Sequence, residues 1–349
     1  MKGGVMRILN VYQWATVGGV ERVLLNRAWA FKKHGISVRQ DVFFYHDSGG
    51  LRNFRLFIKY FQLEEYISVV SQIDESAYDY IFSFDTPQVF EFLKNTSKVV
   101  VECHSPYDKS RVYLKSLPKD IARVVTPSSA FMDSVVVHEI PDAFKDRLFI
   151  LPNFHTLNGR EPVSPERIWG KTPVCYIGRM DTLKNTKELL EIFASLRKKP
   201  GDDHFLLLVG DVRPHYMDVK EAIKKLRIED RAAYYRPIPF EKVDVLLTKI
   251  KQHNGIFISP SMGESFGLSA LEAMSNGVPV LLADIECHKP LVESDPVFLY
   301  RQGDIGDAIS KFEHISRNYD ELSASVARLS ANYSSTLFIE AWNALFAGL

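Results

Sequence analysis

The segment at residues 259–284, SPSMGESFGLSALEAMSNGVPVLLAD, has the pattern of a strand, a glycine-containing loop, a helix and a second strand. The first strand ends near Ser259, and the helix runs from Leu268 until Gly277 stops it. An apolar run at 278–282 then reads as the next strand. Because strand–helix–strand units of this kind build parallel sheets, the segment predicts an α/β fold.

The loop of this segment is suited to an anionic ligand. Free backbone amides and the positive end of the helix dipole favour a phosphate at the start of a helix, and Gly267 lets a ligand approach the backbone. Glu264 lies before the helix and Glu272 inside it, and carboxylates accept hydrogen bonds from paired hydroxyls, as on a sugar ring or a ribose. The alternative is an amphipathic helix with two solvated glutamates.

The rest of the chain repeats the alternation of short apolar runs with stretches of helical period. A first helix, closed by Gly35, follows the first strand, and later helices are expected at 187–196 and 240–252. Strands are expected at 8–12, 37–45, 80–84, 98–102, 123–126 and 148–151 in the first half, and at 174–177, 205–209, 232–235, 255–259 and 278–282 in the second. Residues 152–173, rich in Asn, Gly, Pro and Ser, read as a connector between two domains.

Composition excludes several classes of protein. With 349 residues, 46% of them hydrophobic, the chain can fill two cores and is not disordered. Its 43 basic and 43 acidic residues leave no net field for nucleic acid, so a dedicated DNA or RNA binder is not expected. The widely spaced Cys103, Cys175 and Cys287 suit a reducing cytoplasm, and the sequence shows neither a spanning apolar run nor a signal peptide.

The quoted segment resembles the retaining, nucleotide-sugar-dependent glycosyltransferases of family four, whose E-x7-E motif it carries at Glu264 and Glu272. Three other stretches agree in the same order: GGVERVLLNRA at 18–28, YIGRMDTLKNTKELLEIFASL at 176–196 and LLLVGD at 206–211. The resemblance spans nearly the whole chain and is weak at about 49–79.

The resemblance implies a GT-B architecture, in which two Rossmann-like domains face a central cleft and the last helix crosses back to the N-terminal domain. Residues 1–152 would form the acceptor-binding domain together with a C-terminal helix at about 335–349. Residues 153–334 would form the nucleotide-sugar-binding domain. Apolar residues at helical spacing in 334–349 independently favour a helix that buries one face.

The family motifs also imply roles for single residues toward the donor. Arg179 and Lys184 would contact the donor diphosphate, and cations there offset the charge of the leaving group. Glu264 would hold sugar hydroxyls and Glu272 the ribose. The backbone around Phe266, Gly267 and Leu268 would meet sugar and phosphate, and Gly18 and Gly19 would lie against the donor phosphates. Without the resemblance, the two cations would read as surface charges beside a helix and the two glycines as a plain tight turn.

Two further candidates follow strands of the first half. His104 ends the strand at 98–102, and the family has a histidine in this region near the reacting sugar, so His104 is a candidate for positioning donor or acceptor. Asp85 follows the strand at 80–84 and is a candidate for contacting an acceptor hydroxyl.

The expected reaction needs no cofactor beyond a donor of the UDP or GDP type. The sequence contains no D-x-D triplet and no histidines at metal-ligand spacing, so no catalytic metal is expected. The resemblance implies front-face displacement with retention, although a general acid/base pair of carboxylates is the rival interpretation of the two glutamates. Related alternatives are an epimerase or phosphorylase on the same scaffold, and a noncatalytic sugar-nucleotide binding module.

Two basic stretches bear on the acceptor, which is expected to be a glycan or a lipid-linked glycan of the cell envelope. Residues 51–61 (LRNFRLFIKYF) interleave basic and apolar side chains at helical spacing, and 109–123 carries five further cations. Basic amphipathic helices lie on anionic membranes, which predicts a cytoplasmic protein with peripheral contact to the inner face of a membrane. A helix packed on its own domain is the alternative.

Overall fold

The computed structural model describes residues 4–155, 163–164, 166–199, 201–213 and 215–347. The chain divides into two compact units: unit 1 comprises Met1–Phe154 and Tyr333–Leu349, and unit 2 comprises His155–Asn332. The division after Phe154 lies two residues beyond the boundary expected from the sequence. Part of the expected connector at 152–173 lies outside the described residues.

Unit 1 is built on a parallel sheet of seven strands within the described part of the chain, in the order β3-β2-β1-β4-β5-β6-β7. The strands are β1 (Met6–Ala15), β2 (Val38–Asp47), β3 (Ile67–Val70), β4 (Tyr80–Phe84), β5 (Val99–Glu102), β6 (Arg123–Thr126) and β7 (Leu148–Ile150). The helices before the connector are α1 (Gly19–His34), α2 (Leu51–Tyr60), α3 (Asp108–Arg111), α4 (Ser129–Phe131) and α5 (Val137–Glu139), and a π-helical turn at Met132–Val136 joins the last two.

Unit 2 repeats this plan with six parallel strands among its described residues, in the order β10-β9-β8-β11-β12-β13. They are β8 (Thr172–Ile177), β9 (His204–Val209), β10 (Ala232–Tyr235), β11 (Ile256–Ser259), β12 (Val280–Ala283) and β13 (Leu299–Tyr300). The helices are α6 (Thr186–Leu196), α7 (Val219–Lys225), α8 (Phe240–Gln252), α9 (Leu268–Ser275), α10 (Ile305–Arg317) and α11 (Tyr319–Ser330). Each unit is thus a Rossmann-like α/β domain, as the sequence predicts.

The central strands consist of apolar runs because helices cover both faces of a parallel sheet. β5 and β12 are completely buried and contain mainly Val, Leu and Ala. Both sheets reverse their order at one point, between β1 and β4 in unit 1 and between β8 and β11 in unit 2. Open α/β sheets bind ligands at the carboxyl ends of the strands beside such a point.

The last helix, α12 (Ser335–Phe346), belongs to unit 1. Its Trp342 ring lies 4.8 Å from the ring of Phe31 on α1 and 5.6 Å from that of Phe82 on β4. The apolar spacing of the sequence predicts this helix, and its packing on α1 and β4 agrees with the expected return to the N-terminal domain.

The two basic stretches differ in structure. Residues 51–61 contain α2, whose Phe54, Phe57 and Ile58 are buried in unit 1. The stretch at 109–123 is not one amphipathic helix, which corrects the expectation of a second basic helical face. It is divided between α3, a 3-10 turn and the start of β6, and Arg111 is buried in an ion pair with Glu139.

Candidate active site

The candidate residues follow strands at or next to the switch point of each sheet. Gly18 and Gly19 come after β1, Asp85 after β4, His104 after β5, Arg179 and Lys184 after β8, and Glu264 after β11. The parallel topology therefore brings each group to the carboxyl edge of its own sheet. Their functional roles stay predictions.

In unit 2, Lys184 and Glu264 form an ion pair between two loops. Lys184 Nζ lies 2.5 Å from Glu264 Oε2, and the Ser261 hydroxyl donates to the other carboxylate oxygen at 2.8 Å. Burial raises the pKa of Glu264, but the ammonium of Lys184 and the nearby His288 outweigh burial and hold it below its usual range. Glu264 is therefore an ionised hydrogen-bond acceptor at neutral pH.

The loop that carries Lys184 is fixed by Asp181. The carboxylate of Asp181 accepts hydrogen bonds from Arg179 Nε at 2.6 Å and from the backbone amide of Lys184 at 3.0 Å. The backbone of the Lys184 loop is also hydrogen-bonded to the loop of Glu264, because the Met262 amide donates to the Leu183 carbonyl at 2.7 Å. These contacts hold Arg179 and Lys184 beside the loop that carries Glu264.

The start of α9 depends on Gly267. This residue has φ +98°, a left-handed conformation that L side chains rarely adopt. Leu268 begins the helix, Phe266 is buried before it, and Glu272 is buried in its second turn. The structure thus places Glu264 at the loop and Glu272 deeper in the unit.

His288 belongs to the same region and was missed by the sequence analysis. Its ring is completely buried, and its Nδ1 lies 2.8 Å from the carbonyl oxygen of Ala283. A Cβ built on Gly267 would lie 3.4 Å from Cδ2 of this ring. Burial lowers the pKa of His288, an effect that Glu264 partly offsets. The feature of the sequence that could have identified His288 is its position shortly after the end of β12.

In unit 1, Asp85 and His104 are joined directly. The backbone amide of His104 donates to Asp85 Oδ2 at 2.9 Å, and the Tyr113 hydroxyl donates to Asp85 Oδ1 at 3.0 Å. His104 Nε2 lies 2.7 Å from Glu102 Oε2. Asp85 has φ +43°, so the backbone turns sharply after β4. Asp85 and His104, both predicted from the sequence, therefore lie in one polar cluster. The cluster also contains Glu102 and Tyr113, which were not predicted.

The side chain of Glu21, in the first turn of α1, stabilises the turn that contains Gly18 and Gly19. The carboxylate of Glu21 accepts hydrogen bonds from both the amide and the hydroxyl of Thr16. Glu21 is completely buried, and burial raises its pKa to about 7. The turn thus rests on a carboxyl group that titrates near neutrality.

The described residues contain no group of three or more His, Cys, Asp or Glu side chains that could hold a metal ion. Within the same ranges, no helix has both the length and the apolar character needed to cross a membrane.

Comparison with known sequences gives a family match within unit 2. The model of the family "Glycosyl transferases group 1" matches residues 166–329. A sucrose synthase of Melioribacter roseus is 24% identical over 193 residues, which are 48% of this chain and 24% of that protein. A D-inositol 3-phosphate glycosyltransferase of Nocardia farcinica is 32% identical over 121 residues, 33% of this chain and 26% of that protein. The same enzyme of Corynebacterium kroppenstedtii is 26% identical over 215 residues, 57% of this chain and 46% of that protein. The chain thus spans less than half the length of these relatives.

Solved structures match over nearly the whole chain. HepE of Anabaena, solved with UDP and glucose, superposes with a TM-score of 0.76 at 18% identity and covers 99% of this chain and 100% of its own. WaaG, a glycosyltransferase involved in lipopolysaccharide biosynthesis, gives a TM-score of 0.70 at 12% identity and covers 98% and 100%. Residues 166–329 thus match the group 1 glycosyl transferases, and the chain as a whole has the GT-B fold.

Proposed function

We propose that this protein is a retaining glycosyltransferase that moves a sugar from a nucleoside-diphosphate sugar to a hydroxyl of a glycan or glycolipid. Unit 2 binds the donor, of the UDP or GDP type, and unit 1 binds the acceptor. The match of residues 166–329 to group 1 glycosyl transferases supports this assignment, as does the likeness in fold to HepE, whose structures hold UDP and UDP-glucose.

The ion pair between Lys184 and Glu264 is the observation that carries the proposal. It joins the loops after β8 and β11, the two strands that flank the switch point of unit 2. An ammonium has three N–H donors, so Lys184 can hold Glu264 and still donate to a diphosphate. A carboxylate that stays ionised can accept hydrogen bonds from sugar hydroxyls beside it.

The cations supply stabilisation where charge develops. As the bond from the sugar to the diphosphate breaks, negative charge accumulates on the departing phosphate, and Lys184 and Arg179 offset it. Gly267 opens the backbone at the start of α9, where amides and the helix dipole favour an anion. The acceptor hydroxyl attacks on the same face, and the departing phosphate takes its proton. The configuration of the sugar is therefore retained, and the reaction requires neither an enzyme nucleophile nor a metal.

The remaining contacts complete the donor and acceptor sites. Glu272 binds the ribose, and the backbone of residues 266–268 meets sugar and phosphate. The turn of Gly18 and Gly19 lies against the donor phosphates, whereas His104 and Asp85 contact the reacting sugar and the acceptor. Cys103, Cys175 and Cys287 are buried and form no disulfide, which supports a cytoplasmic site of action.

Substitution of the ion pair tests the proposal. Lys184→Ala and Glu264→Ala should each lower the rate of sugar transfer on the order of a hundredfold or more, equivalent to about 3 kcal/mol of transition-state stabilisation. The matched control is Lys187→Ala, because Lys187 lies three residues further on and is exposed. A thermal-shift panel of UDP, GDP, ADP and dTDP sugars selects the donor, and NMR of the product gives the anomeric configuration.

The outcomes separate the competing functions. Parental rates in both purified variants would contradict the assignment of the pair. Conversion of the donor without an acceptor would favour an epimerase, and a dependence on phosphate would favour a phosphorylase. Tight binding of a donor without turnover toward any glycan would favour a binding module. An inverted product would contradict retention.

We also propose that unit 1 contacts an anionic membrane through the outward face of α2 to reach a lipid-linked acceptor. Arg52, Arg55 and Lys59 are exposed there, and the outward side chains of Leu56 and Tyr60 are 49% and 50% exposed. Basic residues interleaved with apolar ones suit the surface of an anionic bilayer.

Co-sedimentation tests this contact. The protein should sediment with vesicles that contain anionic phospholipid at low salt, and should remain in solution with purely zwitterionic vesicles. Exchange of all three basic residues for Gln should abolish sedimentation. A protein that stays in the supernatant with anionic vesicles at low salt has no such contact.

A further inference from the structure

Unit 1 contains a completely buried ion pair beneath His104. Arg27 on α1 and Glu102 at the end of β5 are 1% and 0% exposed, and two parallel hydrogen bonds of 2.5 and 2.9 Å join them. The rings of Phe84 and Phe338 lie 5.4 and 5.7 Å from the guanidinium carbon. A pair this deep gains little net stability, because both charges lose their hydration. Stability alone therefore explains it poorly.

Glu102 also contacts His104, and the contact determines where the imidazole carries its proton. Burial raises the pKa of Glu102, but Arg27 and the hydrogen bond from His104 outweigh burial and lower it to about 2. An ionised carboxylate only accepts hydrogen bonds. Since Glu102 Oε2 lies 2.7 Å from His104 Nε2, that nitrogen must be the protonated one. Nδ1 is then the nitrogen that carries the lone pair of the neutral ring.

The surroundings fix the orientation of His104 as well. Asp85 accepts its backbone N–H at 2.9 Å, and Tyr113 holds Asp85 in turn. The ring of Phe84 lies 5.3 Å from the imidazole ring. Residues from α1, β4, β5 and the turn after α3 thus converge on one imidazole.

We propose that Arg27 and Glu102 are positioning residues that hold His104 as the Nε2–H tautomer, so that its Nδ1 accepts a hydrogen bond from a sugar hydroxyl. The inference rests on the proposed function for the identity of the hydroxyl. The tautomer itself follows from the contacts of Arg27, Glu102 and His104.

The two positioning residues have opposite effects on the charge of His104. Glu102→Gln leaves the positive Arg27 nearby and should make protonation of the imidazole less favourable, whereas Arg27→Met leaves Glu102 uncompensated and should make it more favourable.

Other groups near the imidazole are constant across these variants. Burial raises the pKa of the Cys103 thiol and of the Tyr113 hydroxyl, so both stay neutral. Burial also raises the pKa of Asp85. The nearby His104 and the hydrogen bonds that Asp85 accepts partly offset this rise. Because Asp85 is present in every variant, the difference between variants reports Arg27 and Glu102.

The experiment is a titration of the full-length protein labelled with 15N-histidine, in which the signals of His104 are identified by their loss in His104→Gln. The parent should show a protonated Nε2 and an unprotonated Nδ1. The midpoint should fall in Glu102→Gln and rise in Arg27→Met. The control is Glu139→Gln, since Glu139 also pairs with a buried arginine in unit 1, at 2.7 Å, but does not bind His104. Its midpoint should match the parent.

Folding failure is covered by a second pair of variants. A lone buried charge strongly destabilises a protein, so the Arg27→Met variant can unfold. The double variant Arg27→Met, Glu102→Met removes both charges together, and His104 should then populate both tautomers. Arg27→Lys retains the charge and should leave the midpoint near that of the parent.

Kinetics test the link to the reaction. Glu102→Gln should lower kcat about tenfold or more and move the acid limb of the pH profile downward together with the midpoint of His104. A parent with protonated Nδ1, or equal shifts in both single variants, would overturn the positioning role. The titrations can agree with the expected tautomer of His104 while the pH profile of kcat does not move. In that case the ion pair orients a histidine that contacts no reacting sugar, and the proposed contact between His104 and a sugar hydroxyl is wrong. If no sugar is transferred by the parent, the proposed function itself is wrong.

Discussion

Glu21 occupies the first turn of α1, where a carboxylate normally faces solvent and interacts favourably with the helix dipole. Here it is buried and accepts two hydrogen bonds from Thr16. Its pKa of about 7 lies above the 4.5 of an exposed glutamate. The folded protein therefore binds this proton more tightly than the unfolded chain does, so the contribution to stability is complete below about pH 4.5 and is lost as the pH rises through about 7.

Glu21→Gln should remove this dependence. The free energy of unfolding of the variant, relative to the parent, should rise by up to about 3 kcal/mol between pH 4.5 and pH 7.5, because the parent must bury a charge at the higher pH. Urea unfolding at a series of pH values measures the difference. Glu65→Gln, at an exposed position, is the control. A difference that does not vary with pH would show that Glu21 titrates normally.

The sequence motifs identified the candidate residues that lie within them, but not the residues whose role depends on their burial in the fold. Lys184 and Glu264 stand in motifs of the resembled family, and the structure joins them. Nothing local distinguishes Glu102 or His288 from an exposed residue of the same type, and the family stretch at 18–28 contains Arg27 without indicating that it is buried. Their burial depends on which helix covers which strand, so the sequence alone could not reveal it.

The junction between the β11 loop and α9 depends on a single glycine. A Cβ on Gly267 would lie 3.0 Å from Leu291 Cδ1, in addition to the strain of φ +98°. Gly303 has φ +80° and would place a Cβ in open space, so it offers a matched position with conformational strain and no steric contact.

Gly267→Ala should therefore destabilise the protein by about 1–3 kcal/mol and weaken binding of the donor nucleotide, because the amides at the start of α9 must shift. Gly303→Ala should show the strain and leave nucleotide affinity unchanged. Chemical denaturation and calorimetric titration with UDP and GDP measure the two effects. Equal affinities in both variants would contradict a role for the α9 start in donor binding.

Element boundaries were predictable where periodicity is strong. β4, β6, β10 and α8 match the expected ranges, because clear apolar runs and terminating residues mark them. β3 was missed because it has only four residues and lies in the region where the family resemblance is weak, and β13 was missed because it has only two residues. β1 and β2 extend beyond their expected ends, at Ala15 and Asp47, through continued pairing with each other that no local signal encodes.

At the scale of the whole molecule, α12 completes a unit that begins more than 300 residues earlier. Trp342 is 2% exposed between Phe31 and Phe82, whereas Leu337 on the same helix is 43% exposed. The apolar spacing predicts a buried face for this helix. Only the family resemblance indicated which unit it would cover, because periodicity carries no information about a distant partner.

Trp342→Ala should destabilise unit 1 by about 3–5 kcal/mol, whereas Leu337→Ala should cost about 1 kcal/mol or less. Deletion of residues 333–349 should raise amide hydrogen exchange in α1 and β4 and leave the sheet of unit 2 protected. Exchange measured by mass spectrometry distinguishes the units. Increased exchange throughout both units would show that they unfold as one.

The position of α12 also sets an order for events on the ribosome. Unit 2 is one uninterrupted stretch of sequence, whereas unit 1 needs residues from both sides of it. The half of the protein that is translated first must therefore wait, with the aromatic surface of Phe31 and Phe82 uncovered, until translation has passed residue 342. During that interval the nascent chain presents a hydrophobic surface of the kind that chaperones recognise, while unit 2, translated later, can already be folded.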